Sequence, residues 1–141
     1  MRVKLTHKDA IMPTKGSEYA AGWDLYAVDD YCIWPSESKM IETGVAVELP
    51  VGTFGGLFSR SGLSTKKNLI LVNGVGVIDA DFRSSIKVPL FNIGMERQWV
   101  RKGDRVAQLI IIPYADKEPL ELAENLSDTV RGEGGFGSTG E

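Results

Sequence analysis

Short apolar runs alternate with turn residues along most of the chain, and hydrophobicity almost never recurs at helical spacing. Thr43-Gly44-Val45-Ala46-Val47-Glu48-Leu49-Pro50 places Val45, Val47 and Leu49 on one side, the pattern of a half-buried strand. Gly52, Gly55 and Gly56 bracket Phe54, Leu57 and Phe58. Leu69-Ile70-Leu71-Val72 is aliphatic and ends at Asn73-Gly74, a dipeptide that favours a hairpin turn. Ile86 to Phe91 is another strand, where Pro89 predicts an edge or bulge because it cannot donate to a ladder. Gln98-Trp99-Val100 and Val106 to Ile112 flank the polar turn Lys102-Gly103-Asp104-Arg105. One short helix is predicted around Gly62 to Asn68. So many strands with regular turn punctuation predict an all-β barrel or sandwich, such as a jelly roll.

Composition narrows the class. With 141 residues, 43% hydrophobic and 25% charged, the chain is the size of one globular domain with a core. The net charge of −3, without a basic run, argues against a duplex nucleic acid partner. Any anionic ligand is expected to be small and met by a few placed cations. The single cysteine, Cys32, excludes an internal disulfide and sits in the apolar stretch Tyr31 to Trp34, where a buried thiol is expected. The N-terminus lacks the apolar stretch of a signal peptide, and Leu109 to Ile112 is too short to span a bilayer. A soluble protein with no membrane partner follows, cytoplasmic or nuclear, or in the host cytoplasm if the chain is viral.

Several segments carry candidate chemistry, each weak alone. Arg131 to Gly140 holds a cation, an aromatic and two hydroxyls in a glycine-rich stretch. It superficially fits a P-loop, but Ser138 stands where lysine is needed and no helix can follow. Asp79-Ala80-Asp81 offers two carboxylates, and Ser59-Arg60-Ser61-Gly62 suits an anion. His7 is the only histidine, lies near a terminus and is expected to be solvated, which makes a histidine-based triad improbable.

In order, the chain carries Ala21-Gly22-Trp23-Asp24-Leu25-Tyr26-Ala27, then Ser59-Arg60-Ser61-Gly62-Leu63, then Asn73 to Arg83. Gly103-Asp104-Arg105-Val106-Ala107-Gln108-Leu109 and Arg131 to Gly140 follow. This series closely resembles the trimeric deoxyuridine triphosphatase family, whose five motifs occur in this order at similar spacings. The resemblance implies a jelly-roll-like distorted β-barrel (residues 1–130), a glycine-rich tail (131–141) acting as a mobile lid, and a homotrimer with active sites between subunits. It implies hydrolysis of dUTP to dUMP and pyrophosphate with Mg²⁺, which limits uracil incorporation into DNA and supplies dUMP for thymidylate synthesis.

By the same resemblance, Asn73 and backbone groups through Gly76 and Val77 read the uracil edge, and Phe82 packs against deoxyribose where the family usually has tyrosine. Asp79 matches the carboxylate that activates the attacking water. General-base catalysis typically contributes about 10²–10⁴-fold, so charge neutralisation at phosphorus must do most of the work. Arg60, Ser61, Gly62 and Gln108 match phosphate-contacting positions. Arg131, Ser138 and Thr139 match tail groups on the terminal phosphate, with Phe136 stacked on uracil and Gly137 allowing close approach. Asp24 is expected to orient Arg60, and Asp104 with Arg105 to form an ion pair at their turn. Mg²⁺ is held mainly through the phosphates, so no protein ligand is assigned. Two further departures are Ser59 for the usual proline, expected to loosen that loop, and Ser84-Ser85 for the common Gly-Glu.

Two rival readings stand beside this one. dCTP deaminase shares the fold and motif order but needs a glutamate where this chain has Pro89, which transfers no proton. A dUTP-binding regulator or structural jelly roll would need neither Asp79 nor the complete tail.

Overall fold

Turn residues cut the chain into short strands, and the apolar positions decide how those strands stack. The computed structural model describes residues 1–115 and 119–135. Strand β1 (Arg2–Leu5) pairs with β5 (Val45–Glu48), and β3 (Tyr31–Ile33) pairs with β10 (Gln98–Val100). A four-stranded sheet runs in the order β2 (Trp23–Tyr26), β11 (Arg105–Pro113), β6 (Thr53–Phe58) and β8 (Val75–Ile78). A three-stranded sheet runs β4 (Ser38–Glu42), β9 (Lys87–Asn92) and β7 (Leu69–Leu71). All pairings are antiparallel. Among the described residues the ladders do not close into one hydrogen-bonded barrel.

What unites them is a single core. Leu25, Leu57 and Leu109 of the large sheet meet Ile41, Leu69, Val88 and Leu90 of the smaller one, with Ile33, Val45 and Val100 from the paired ribbons. Leu57 and Leu109 are direct cross-strand partners. Each such buried aliphatic side chain contributes roughly 1.5–3 kcal/mol. Packing of two apolar sheet faces is the jelly-roll-like arrangement that the strand pattern predicts.

Four local expectations turn out differently. Pro89 lies in β9, the middle strand of its sheet rather than an edge. Its carbonyl accepts the Val72 N–H at 3.0 Å, just past the last β7 pair, Leu71 with Leu90. The missing N–H therefore falls at the end of the ladder, where it costs little. Asn73-Gly74 makes its tight turn, with Gly74 at φ 68° and its N–H on the Leu71 carbonyl, but β7 and β8 belong to different sheets. The turn hands the chain from one sheet to the other instead of closing a hairpin. Cys32 is half-buried opposite Trp99 rather than enclosed. His7 is partly buried, with Nδ1 accepting the Asp9 N–H at 3.2 Å.

The predicted helix forms as α1 (Ser61–Lys67), which buries only Leu63 and ends at Asn68 in the left-handed region. No helix among the described residues is long and apolar enough to cross a membrane.

Polar groups inside the core are paired. Asn92 is fully buried; its amide donates to the Ile33 and Glu96 carbonyls at 3.0 and 2.8 Å and accepts the Gly94 N–H at 2.9 Å. Replacing Asn92 with alanine orphans three backbone groups. At about 1 kcal/mol per lost bond, the variant should unfold in urea with about 2–3 kcal/mol less stability and an unchanged denaturant slope.

Candidate active site

A buried carboxylate organises one end of the large sheet. Asp24, on β2, is only 6% exposed and takes the Arg60 Nε at 2.8 Å on one oxygen and an Arg105 terminal nitrogen at 3.2 Å on the other. Burying a carboxylate is costly unless it is paired, and two guanidiniums supply the pairing. These three residues line a pocket of about 180 Å³ with Ser61 and Gln108. Two arginines sharing one carboxylate leave a net positive charge, and the Arg60 contact uses only Nε, so its terminal nitrogens remain for an anion. Gln108 donates to the Ser59 carbonyl at 3.0 Å and so fixes the turn that presents Arg60.

A β-bulge makes this convergence possible. The β11–β2 register shifts between Arg105 and Ala107, so Arg105 faces Tyr26 while Gln108 faces Asp24. Without the extra residue, positions three apart would point to opposite faces of the sheet. The bulge turns Val106 and Ala107 both inward, each fully buried, and brings Arg105 and Gln108 to the same pocket.

At the other edge of the sheet, β8 and the turn before it build a different cavity. Asn73, Gly76, Val77 and Phe82 line a cleft of about 400 Å³, with Ser84 and Ser85 on its wall. Gly76 is buried against β6, and a Cβ there would meet the Leu57 Cβ at 3.0 Å, so the backbone itself forms the cleft surface. Asp79 follows β8 on an exposed loop, its carbonyl accepting the Phe82 N–H at 3.1 Å. Arg83 stitches that loop by donating to the Ala80 and Phe82 carbonyls.

The two cavities are separated by the width of the sheet. Asp24 pairs with Gln108, Gln108 with Phe58, and Phe58 with Val75. Three strand spacings lie between Asp24 and Val75, about 14 Å. The base-sized cleft and the cationic pocket of one chain share no lining residue.

These are the parts that the first four sequence motifs supply, and the dUTPase family model matches residues 8–140. The chain belongs to the dUTPase family. It is 45% identical over 147 residues to the deoxyuridine 5'-triphosphate nucleotidohydrolase of Escherichia phage T5, covering 99% of this chain and 98% of that one. It is 47% identical over 134 residues to the same-named protein of Mus musculus, covering 94% and 80%. Among solved structures, a mutant dUTPase of Staphylococcus bacteriophage 80alpha with dUpNHpp is similar at a TM-score of 0.91 and 30% identity, covering 99% and 98%. A mutant dUTPase from phage phi11 of S. aureus, described with a structural Mg(II) ion, has a TM-score of 0.83 at 27% identity, covering 90% and 98%.

For this family member, the structure groups the sequence-derived residues as follows. Asp24, Arg60, Ser61 and Gln108 come together, and Gly62 lines an adjoining cleft on the other side of Arg60 and Arg105. Asn73, Gly76, Val77 and Phe82 come together at the opposite edge. Arg131 is exposed and donates to the Gly134 carbonyl, joining neither group. Phe136, Gly137, Ser138 and Thr139 lie outside the described residues.

Two expectations are corrected here. Asp104 and Arg105 do not pair with each other: Asp104 takes Lys67 at 3.3 Å and the Arg101 N–H at 3.0 Å, while Arg105 goes to Asp24. Arg105 is thus the site residue that the sequence reading missed, and strict alternation along β11 could not have found it. Ser59 does not loosen its loop. Its hydroxyl accepts the Leu71 N–H at 3.1 Å, a tie that proline could not make.

Behind the wall of the cleft at Asn73 to Phe82 stands Glu42. One carboxylate oxygen accepts both the Ser85 hydroxyl and the Gly44 N–H, and the other lies 3.8 Å from Lys87. Burial pushes its carboxyl up, but the hydrogen bonds from Ser85, Gly44 and Thr43 and the Lys87 charge outweigh that and hold it below the usual glutamate range. A depressed folded value contributes stability that is complete above about pH 4.3, the ordinary glutamate value, and is lost as pH falls through the folded one. The stability gap between the native chain and Glu42→Gln should therefore be steady near neutrality and shrink in acid. Urea titrations at about pH 7 and about pH 3 that return equal gaps would contradict this.

Proposed function

We propose that the chain hydrolyses dUTP to dUMP and pyrophosphate, with Asp79 activating the water that attacks the α-phosphorus. The observation that carries this reading is the pairing, on one sheet, of a main-chain-lined base cleft with a two-arginine anion pocket. A backbone turn presents fixed donors and acceptors to a uracil edge, and a wrong base leaves buried polar groups unpaired, the strongest source of discrimination. Phe82 offers its ring face to the sugar. Arg60, Ser61, Gly62 and Gln108, joined by Arg105, take the phosphates.

As the family resemblance implies, a complete site combines the cleft of one protomer with the pocket of another, and the lack of any shared lining residue between the two cavities of one chain supports this. A homotrimer with sites between subunits satisfies this. Residues 1–130 form the β domain of that assembly. Tail residues 131–141 close over the site, with Arg131, Ser138 and Thr139 on the terminal phosphate and Phe136 and Gly137 over the base. The chain's only histidine and only cysteine lie away from both cavities, whose surroundings suit a hard cation carried on phosphate oxygens. Mg²⁺ on the triphosphate neutralises charge there, while the chain supplies the arginines, the base turn and the carboxylate.

Pro89 lines the base cleft where the deaminase reading needs a proton-transferring glutamate, which favours hydrolysis. A purely regulatory role leaves Asp79 without a task.

Pyrophosphate release should be fast from dUTP with Mg²⁺, absent with EDTA, and weak from UTP, dTTP and dCTP. In Asp79→Asn it should fall at least about a hundredfold while dUTP affinity stays within about tenfold; undiminished turnover removes Asp79 from the role. Deleting the residues after Val130 should leave a folded trimer by light scattering with crippled turnover. An unfolded product would show that the tail belongs to the core.

A further inference from the structure

We infer that Glu42 is a positioning residue for the Asp79 loop, anchoring the downstream end of that loop from β4 through the Ser85 hydroxyl. This rests on the assignment of Asp79 in the reading above. The loop from Asp79 to Ser84 is strung between two fixed ends. Upstream, Ile78 is held in register with Gly55. Downstream, Ile86 donates to the Val45 carbonyl at 2.8 Å, and its own carbonyl accepts the buried Thr43 hydroxyl at 2.6 Å.

Between those ends Ala80 packs against the core, but side-chain hydrogen bonds from the loop to the sheet are few among the described residues. Arg83 bonds only to loop carbonyls, so it shapes the loop without tying it to the sheet. Among the described residues, the one side-chain hydrogen bond from its downstream end to the body of the protein is the Ser85 hydroxyl on the Glu42 carboxylate. That carboxylate is itself fixed by the Gly44 N–H at 2.9 Å and by Lys87, its cross-strand partner on β9. Ser85 also forms part of the base-cleft wall, so the same bond sets the cleft and the approach of Asp79 to a nucleotide seated there.

The long acidic side chain comes from β4, and the short Ser85 hydroxyl donates to it from the end of the loop. Swapping the two residues would keep an acid–hydroxyl pair at the base of the loop. A misplacement of about 1 Å at a reacting group can cost about 10²-fold in rate, so the anchor is expected to act on turnover more than on binding.

The test is an exchange carried out in the full-length chain. Glu42→Ser should lower kcat for dUTP at least about tenfold while the affinity for dUpNHpp stays within about threefold. Glu42→Gln, which keeps an acceptor, should fall between the two. Combining Glu42→Ser with Ser85→Glu should recover kcat to within about threefold of the native chain, an outcome that general destabilisation would not produce. A native kcat in Glu42→Ser, or a folded double variant no faster than the single one, overturns the inference. Should Asp79→Asn keep full turnover, the underlying assignment of Asp79 fails instead, and the two failures are told apart by that variant.

Discussion

The Asp24 carboxylate is the interaction on which the anion pocket depends. It is nearly sealed from water, and its two oxygens are claimed by guanidiniums from different parts of the chain. One arrives from the turn after β6, the other from the start of β11. A lone buried carboxylate would be strongly destabilising, and so would either arginine if drawn inward without it. Together they form a cationic group rigidly aimed at the pocket. Preorganised charge of this kind is worth more in a half-buried setting than the same groups free in water.

That pairing constrains the rest of the sheet. Asp24 can reach Arg105 only because β11 carries a bulge at Val106, and the bulge is tolerated because Val106 and Ala107 are small enough to be buried together. Arg60 reaches Asp24 because Gln108 and Ser59 fix the preceding turn from two sides, one through a carbonyl and one through a hydroxyl. The base cleft at the far edge is built on another principle, main chain held close to β6 by the absence of a Cβ at Gly76. Cations positioned by a buried acid and a cleft shaped by backbone, the proposed base site, are kept apart by the sheet's width. In the proposed assembly that separation makes catalysis a property of the oligomer.

At three positions the structure supplies a compensation that the local sequence does not show. Ser59 replaces a stiff residue with a hydrogen bond to Leu71. Ser85, at the end of the Asp79 loop, donates to the carboxylate of Glu42. Pro89 occupies a central strand without harm because its missing donor falls beyond the last pair. Each is a local rule broken and answered by a neighbour distant in sequence, which is why single-segment reasoning misjudged two of them, Ser59 and Pro89.

Local patterning was enough for β5, β6, β7, β9, β10 and β11, the short helix from Ser61 and the tight turn at Asn73-Gly74, while the site residues were legible only through the family resemblance, which left out Arg105. Those features depend on side-chain period, on turn chemistry and on motifs whose residues lie close together. Which strands pair, and therefore which motifs meet, was decided only in three dimensions. Asn73-Gly74 makes the same turn whether it closes a hairpin or passes between sheets, since the turn's own energy does not register the strands beyond it. Arg105 lies three residues before Gln108, and period-2 reasoning places them on opposite faces; a single extra residue in the ladder reverses that. Register is fixed by the burial of the whole core, so the pairing of Asp24 with Arg105 and of Glu42 with Ser85 belongs to the packed structure and to no stretch of sequence.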